Sequence, residues 1–224
     1  MSGSGTSAAA GHGAPFTPVS GHLVPSGART KMRDWIVLGV LNGLLVAFSH
    51  IIFSLYFCLG PLAYVMWFFH QSVENLLLAT IYLLMAFIAP GRRAFTLNAV
   101  VWGGLGLMQG WWPLLPVALL AGLLTDAVMR RAVPGQRLGL VLLGFAFYTT
   151  MLSVGTLWPY LLLKHGAMMQ RMTAMDPGVA AVVDWFTLPL FACILGASFL
   201  TALVGGAMAL KLIARHFALE KTAW

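Results

Sequence analysis

The chain has 224 residues, of which 60% are hydrophobic and only 8% charged, with a net charge of +7. Soluble domains carry roughly 25% charged residues, so water is not the solvent for most of this chain. Its basic residues stand in small groups at the ends of apolar runs with no nucleic-acid motif beside them, which speaks for membrane topology and against a nucleic-acid partner.

Residues 1–33 are rich in Gly, Ser, Ala and Pro and lack the apolar core of a signal peptide, which predicts a disordered cytoplasmic tail with His12 and His22 as solvated spacers. Residues 34–217 then read as six transmembrane helices, an all-α polytopic membrane protein. A span needs roughly 17 to 25 apolar residues at 1.5 Å per residue. The segments 35–57, 62–89, 95–110, 113–129, 138–163 and 185–213 qualify, the third and fourth being short and separated by Trp111 and Trp112. Residues 218–224 are a short C-terminal tail.

Positive charge sets the orientation. Arg29, Lys31, Arg33, Arg92, Arg93, Arg130, Arg131, Arg137, Lys211, Arg215 and Lys221 fall on one side of a six-span chain, leaving Lys164 and Arg171 on the other. Five or seven spans would spoil this segregation. The positive-inside rule therefore predicts a multi-pass protein of the cell membrane with both termini cytoplasmic, and places residues 56–61, 109–113 and 164–184 outside.

The first span carries Gly39 and Gly43, a small-xxx-small pair continued on the same face by Ala47. Such a stripe lets another helix approach closely, either a partner or a neighbour within the bundle. Gly103, Gly104, Gly106, Gly205 and Gly206 are expected to serve internal packing. Polar groups at membrane depth each need a partner or water. His50, His70, Glu74 and Asn98 are such groups. His70 and Glu74 are four apart on one helical face, either bonded to each other or part of a substrate or proton site.

The fifth loop holds Met168, Met172 and Met175 at helical spacing near His165. An amphipathic lid over the outer mouth is the default reading, with soft-metal or haem-iron ligation as the alternative. Asp184 is expected to cap the last span, and Asp126 to pair with Arg130 one turn on. Cys58 and Cys193 form no metal or redox motif, and no P-loop, HExxH, GxSxG or strand-borne GxGxxG occurs. Binding or transport is expected rather than catalysis.

Several stretches, in order from about Asp34 to Lys221, resemble one family. They are Asp34-Trp-Ile-Val-Leu-Gly39, Ala89-Pro-Gly-Arg-Arg-Ala94, Gly110-Trp-Trp, Gly122-Leu-Leu-Thr-Asp126, Gly205-Gly206 and Arg215-His-Phe217. The chain is similar to the MptD-type, or Trep_Strep, substrate-binding S components of energy-coupling factor transporters. The resemblance implies a compact six-helix bundle that captures a vitamin-like or cofactor-like molecule from outside. It also implies docking on a transmembrane coupling subunit driven by two cytoplasmic ATPases, with Gly39 and Gly43 at the contact where the superfamily usually has alanines.

By the same resemblance the pocket is lined by Tyr56, Gln109, Trp111, Trp112, Trp158, Tyr160, His165 and Asp184, with Gln109 standing where family members often carry His. An aromatic lining suits a flat ring. Haem or another tetrapyrrole is the first expectation, and a pterin, a thiamine-like vitamin and a metal chelate also fit that description, each as transported substrate rather than resident cofactor. A self-contained proton-coupled secondary transporter using His50, His70 and Glu74 is the reading from another class, against which the chain is short and without an evident internal repeat. A membrane enzyme or assembly factor is the third.

Overall fold

A computed structural model describes residues 32–60, 62–88, 93–135, 137–175 and 183–217. Residues 1–31 of the anticipated N-terminal tail, the C-terminal tail and residues 89–92 lie outside the described residues, while Met32 and Arg33, expected in the tail, already belong to the first helix. Among the described residues every regular element is helical: α1 (Met32–Tyr56) with a 3-10 extension (Phe57–Leu59), α2 (Leu62–Phe68), α3 (His70–Leu77), α4 (Ala79–Ile88), α5 (Ala94–Met108), α6 (Leu114–Ala132), α7 (Leu138–Leu162), α8 (Ala167–Met175) and α9 (Leu188–Phe217). Backbone groups in hydrocarbon must bond within their own segment, and helices alone do this without a partner strand.

The all-α polytopic reading holds. Three helices are long and apolar enough to cross a membrane: α1 with its extension, α7 and α9. The bent pair α3 and α4 is a fourth if taken as one span. The other two anticipated segments are also helical, but α5 has 15 residues and α6 carries Asp126, Arg130 and Arg131 in its last two turns.

The second segment, expected as one straight helix, is instead broken, with a 60° bend between α3 and α4. Its cause is polar. The Asn75 amide donates to the Ser198 carbonyl at 2.9 Å and reaches its hydroxyl at 3.3 Å, tying the bend to α9. The α9 backbone comes so close there that a Cβ on Gly205 would overlap the Asn75 carbonyl.

Packing runs in a ring. α5 lies on α6, α6 on α7, α7 on α9, and α9 on α3 and α4, while α1 closes the circle against α2, α3, α4 and α5. α1 meets the bundle along one stripe, Leu38, Leu41, Leu45, Ile52 and Tyr56, at the spacing of a single helical face. Its opposite face, with Ile36, Val40, Phe48 and Ile51, is exposed. At the core centre Tyr82, Phe95, Phe145 and Tyr148 are fully buried and meet edge to face or tilted.

Two polar devices hold this core. The Tyr148 hydroxyl donates to Asn98 Oδ1 at 2.6 Å, and Asn98 Nδ2 donates to Asn42 Oδ1 at 2.7 Å, linking α7, α5 and α1. Asn98 is therefore satisfied inside the bundle. Asp126 does not pair its carboxylate with Arg130 as expected; Arg130 Nε bonds the Asp126 carbonyl oxygen. The carboxylate instead accepts the N–H groups of Phe95 at 3.1 Å and Thr96 at 2.8 Å and the Thr96 hydroxyl at 2.6 Å, capping α5 across the helix interface. The first amides of a helix lack internal acceptors, and a carboxylate there also meets the positive end of the helix dipole.

Candidate functional site

A cavity of about 360 Å³ opens between α1, α3, α5 and α7, with Met172 of α8 over it. It lies toward the end of the bundle that holds α8, away from the end where Arg33, Arg93, Arg130, Arg131, Arg137, Lys211 and Arg215 gather. Trp67, Trp102, Trp111 and Phe53 supply its aromatic surface. The polar floor is built from α1 and α3: Ser49, His70, Gln71 and Glu74.

His70 is the hub of that floor. Its Nε2 lies 3.1 Å from Ser49 Oγ and 3.1 Å from Glu74 Oε1, and its Nδ1 lies 3.3 Å from the Tyr56 hydroxyl. The contact with Glu74 is close enough for an ion pair but lacks hydrogen-bond alignment, and Glu74 Oε1 has no hydrogen-bond partner although the residue is only 2% exposed. Among the described residues no Lys or Arg lines the cavity. His50, exposed at the mouth, places Nδ1 2.8 Å from the Val46 carbonyl. A carbonyl only accepts, so Nδ1 is the donor in that contact.

Of the anticipated pocket residues, Gln109 and Trp111 line the cavity. Trp111 is held by its indole N–H donating to the Thr156 carbonyl at 3.0 Å. Tyr56 and Tyr160 stand one layer behind the wall, Tyr56 against His70 and Tyr160 against Trp111 with ring centroids 5.3 Å apart. Trp112, Trp158, His165 and Asp184 are not part of the lining. Asp184 is 78% exposed and pairs with Lys164 at 3.6 Å, and because α9 begins only at Leu188 it does not cap that helix.

The expected short helix is present as α8, with Met168 and Met172 packed on the core; Met169 is fully buried, and the side chain of Met175 lies outside the described residues. Among the described residues, no three His, Cys, Asp or Glu side chains gather to hold a metal ion. Sequence reasoning gave His50, His70 and Glu74 as polar groups at depth, but it missed Ser49, Gln71, Trp67 and Trp102. Tryptophan favours membrane interfaces, so Trp102, in the middle of α5, was the available signal.

Gly39, Gly43 and Ala47 face outward from α1, and nothing lies within 4 Å of a Cβ placed on either glycine. They do not serve packing inside this bundle. Gly103, Gly106, Gly205 and Gly206 do, whereas Gly104 meets open space.

Long apolar helices packed around a polar-floored cavity define an all-α polytopic integral membrane protein. The chain belongs to the Trep_Strep family, described as hypothetical bacterial integral membrane protein, which matches residues 32–218. No curated protein and no solved structure matches the chain.

Proposed function

We propose that the chain is the substrate-capturing S component of an energy-coupling factor importer in the bacterial cell membrane. One observation carries this: an aromatic-walled cavity sits beneath α8, at the end of the bundle opposite the basic clusters. Under the positive-inside rule that end faces outward and both termini are cytoplasmic. A cavity of 300 to 1,000 Å³ with few convergent polar groups is the usual form of a small-molecule site.

The chain's sequence contains no nucleotide-binding motif, so energy would come from separate ATPase subunits through a coupling subunit. The outward stripe of Gly39, Gly43 and Ala47 on α1 is the docking surface in this proposal, where a partner helix can approach the backbone. The bundle itself binds rather than catalyses. The test is purification of the tagged full chain from native membranes, with mass spectrometry of proteins and small molecules. Co-purification of two ATPases and a coupling subunit is expected. A chain recovered alone that moves substrate into liposomes without ATP overturns the proposal.

That second outcome belongs to a proton-coupled secondary transporter, and one observation favours it. Ser49, Tyr56, His70 and Glu74 form a contiguous polar group at the cavity, the kind of chain a proton could follow. Dependence of uptake on a proton gradient in the absence of ATPases would establish it.

A further inference from the structure

Glu74 is a buried carboxylate with an unused acceptor, and everything around it limits what can use that acceptor. Its Oε1 has no hydrogen-bond partner and the side chain lines the cavity. A buried acceptor without a donor forfeits its solvation, and more so when charged. Among the described residues no Lys or Arg side chain of the wall supplies a donor, and His70 approaches without the alignment of a hydrogen bond. The missing donor is therefore sought in the ligand.

A second polar group stands in the same wall. The indole N–H of Trp102 lines the cavity and lies beside the hydroxyl of Tyr82, its acceptor within the bundle, without strict hydrogen-bond alignment, so that donor is only partly used. An indole N–H only donates, so it is complementary to a ring nitrogen or carbonyl. Trp67, Trp111 and Phe53 offer faces and edges for a flat ring, and a cationic ring gains further from them.

Size and charge narrow the class. At about 360 Å³ the cavity lies at the small end of the roughly 300 to 1,000 Å³ usual for small-molecule sites, the size for one or two fused rings. A carboxylate or phosphate on the ligand would face Glu74, and among the described residues the wall holds no Lys or Arg to offset the repulsion, only the imidazoles of His50 and His70.

We infer that the cavity selects a small planar amino-substituted nitrogen heterocycle, neutral or cationic, whose amino or protonated ring N–H groups donate to Glu74 and whose ring acceptor faces Trp102. This rests on the cavity being the capture site proposed above and deepens that proposal. Anionic rings and haem are rejected by the same features.

The experiment is a titration of the purified full-length protein in nanodiscs, read by quenching of its tryptophan fluorescence. The probes are pterin and thiamine, their oxo counterparts lumazine and oxythiamine, nicotinate and haem. At least one amino compound is expected to bind saturably, with its oxo counterpart weaker by about tenfold or more, and nicotinate and haem failing to compete. Glu74→Gln should weaken the amino compound by about 10- to 100-fold, the range for loss of a charge-assisted hydrogen bond. Trp102→Phe keeps an aromatic ring but removes the donor and part of the indole surface, and should weaken it severalfold, so the inference stays testable if the Glu74 variant does not fold.

Equal binding of amino and oxo forms, preference for nicotinate or haem, or no binding of either amino compound overturns the inference. Co-purification of the ATPases is read separately. A chain that recovers them yet prefers haem keeps the importer proposal and loses this one, and a chain that binds the amino ring without ATPases does the reverse.

Discussion

The backbone of α9 at Gly205 lies directly against the carbonyl oxygen of Asn75, at the bend between α3 and α4. The neighbouring side chains make the contact specific: Asn75 Nδ2 bonds the Ser198 carbonyl, and Ser198 Oγ accepts from Ser153 at 3.0 Å, so α3, α7 and α9 share one buried polar node. The bend places His70, Gln71 and Glu74, just before it, on the cavity.

Gly205→Ala is therefore expected to destabilise the protein. Its methyl group meets backbone rather than a flexible side chain, so the cost is that of overpacking, about 1–3 kcal/mol. Thermal unfolding in detergent should show a midpoint lowered by several degrees, with weaker ligand retention because α3 shifts. An unchanged midpoint would show that α9 does not press on the bend.

Gly39→Leu and Gly43→Leu carry the opposite expectation. A Cβ at either position meets nothing within 4 Å, and surface changes away from special features stay within about 0.5 kcal/mol. The double variant should keep its thermal midpoint and ligand affinity yet lose co-purifying ATPase subunits and ATP-dependent uptake. Retained uptake would remove the docking role from this stripe.

Much of this architecture was legible because membrane burial writes itself into composition. The long helices α1, α7 and α9 follow from apolar runs that no soluble domain would carry. What was not legible depends on contacts far apart in sequence. Asp126 has Arg130 one turn away, yet its carboxylate is used 30 positions back at Thr96, where α5 needs a cap. The outer aromatics showed the same limit: Trp111 and Trp112 are adjacent and alike in sequence, and only the turn after α5, with Gly110 at a φ of 80°, decides which indole enters. Residues His70 and Glu74 were visible as expensive groups at depth, but the bend that turns them toward α1 comes from Asn75 and α9.

Asp126→Asn should lower stability by about 1–3 kcal/mol, since the carboxamide has one acceptor oxygen where the carboxylate uses two, and it loses the charge facing the α5 dipole. Asp126 stands near the end of α6 remote from the cavity. Ligand affinity at a temperature where the variant is folded is expected to change less than about twofold, the mark of a structural cap; about 1.4 kcal/mol would be needed for a tenfold change. Thermal unfolding beside a binding titration separates the two.

Trp111 and Trp112 give the sharpest test of the cavity. Trp111 is 7% exposed, lines the cavity, donates to the Thr156 carbonyl and leans on Tyr160, while Trp112 is 53% exposed and lies outside the lining. Trp111→Phe removes the hydrogen bond and part of the stacking surface, and leaves the Thr156 carbonyl without that donor. The lost hydrogen bond falls on stability, while the lost stacking surface is worth roughly 0.5–1.5 kcal/mol to a ligand, so binding should fall severalfold, up to about tenfold. Trp112→Phe takes away interface-facing surface only and should leave binding within about twofold. The readout is the molar ratio of small molecule retained through purification, measured by mass spectrometry for both variants beside the unaltered chain. A loss at Trp112 equal to that at Trp111 would move the capture site out of the cavity and onto the outer surface of the bundle.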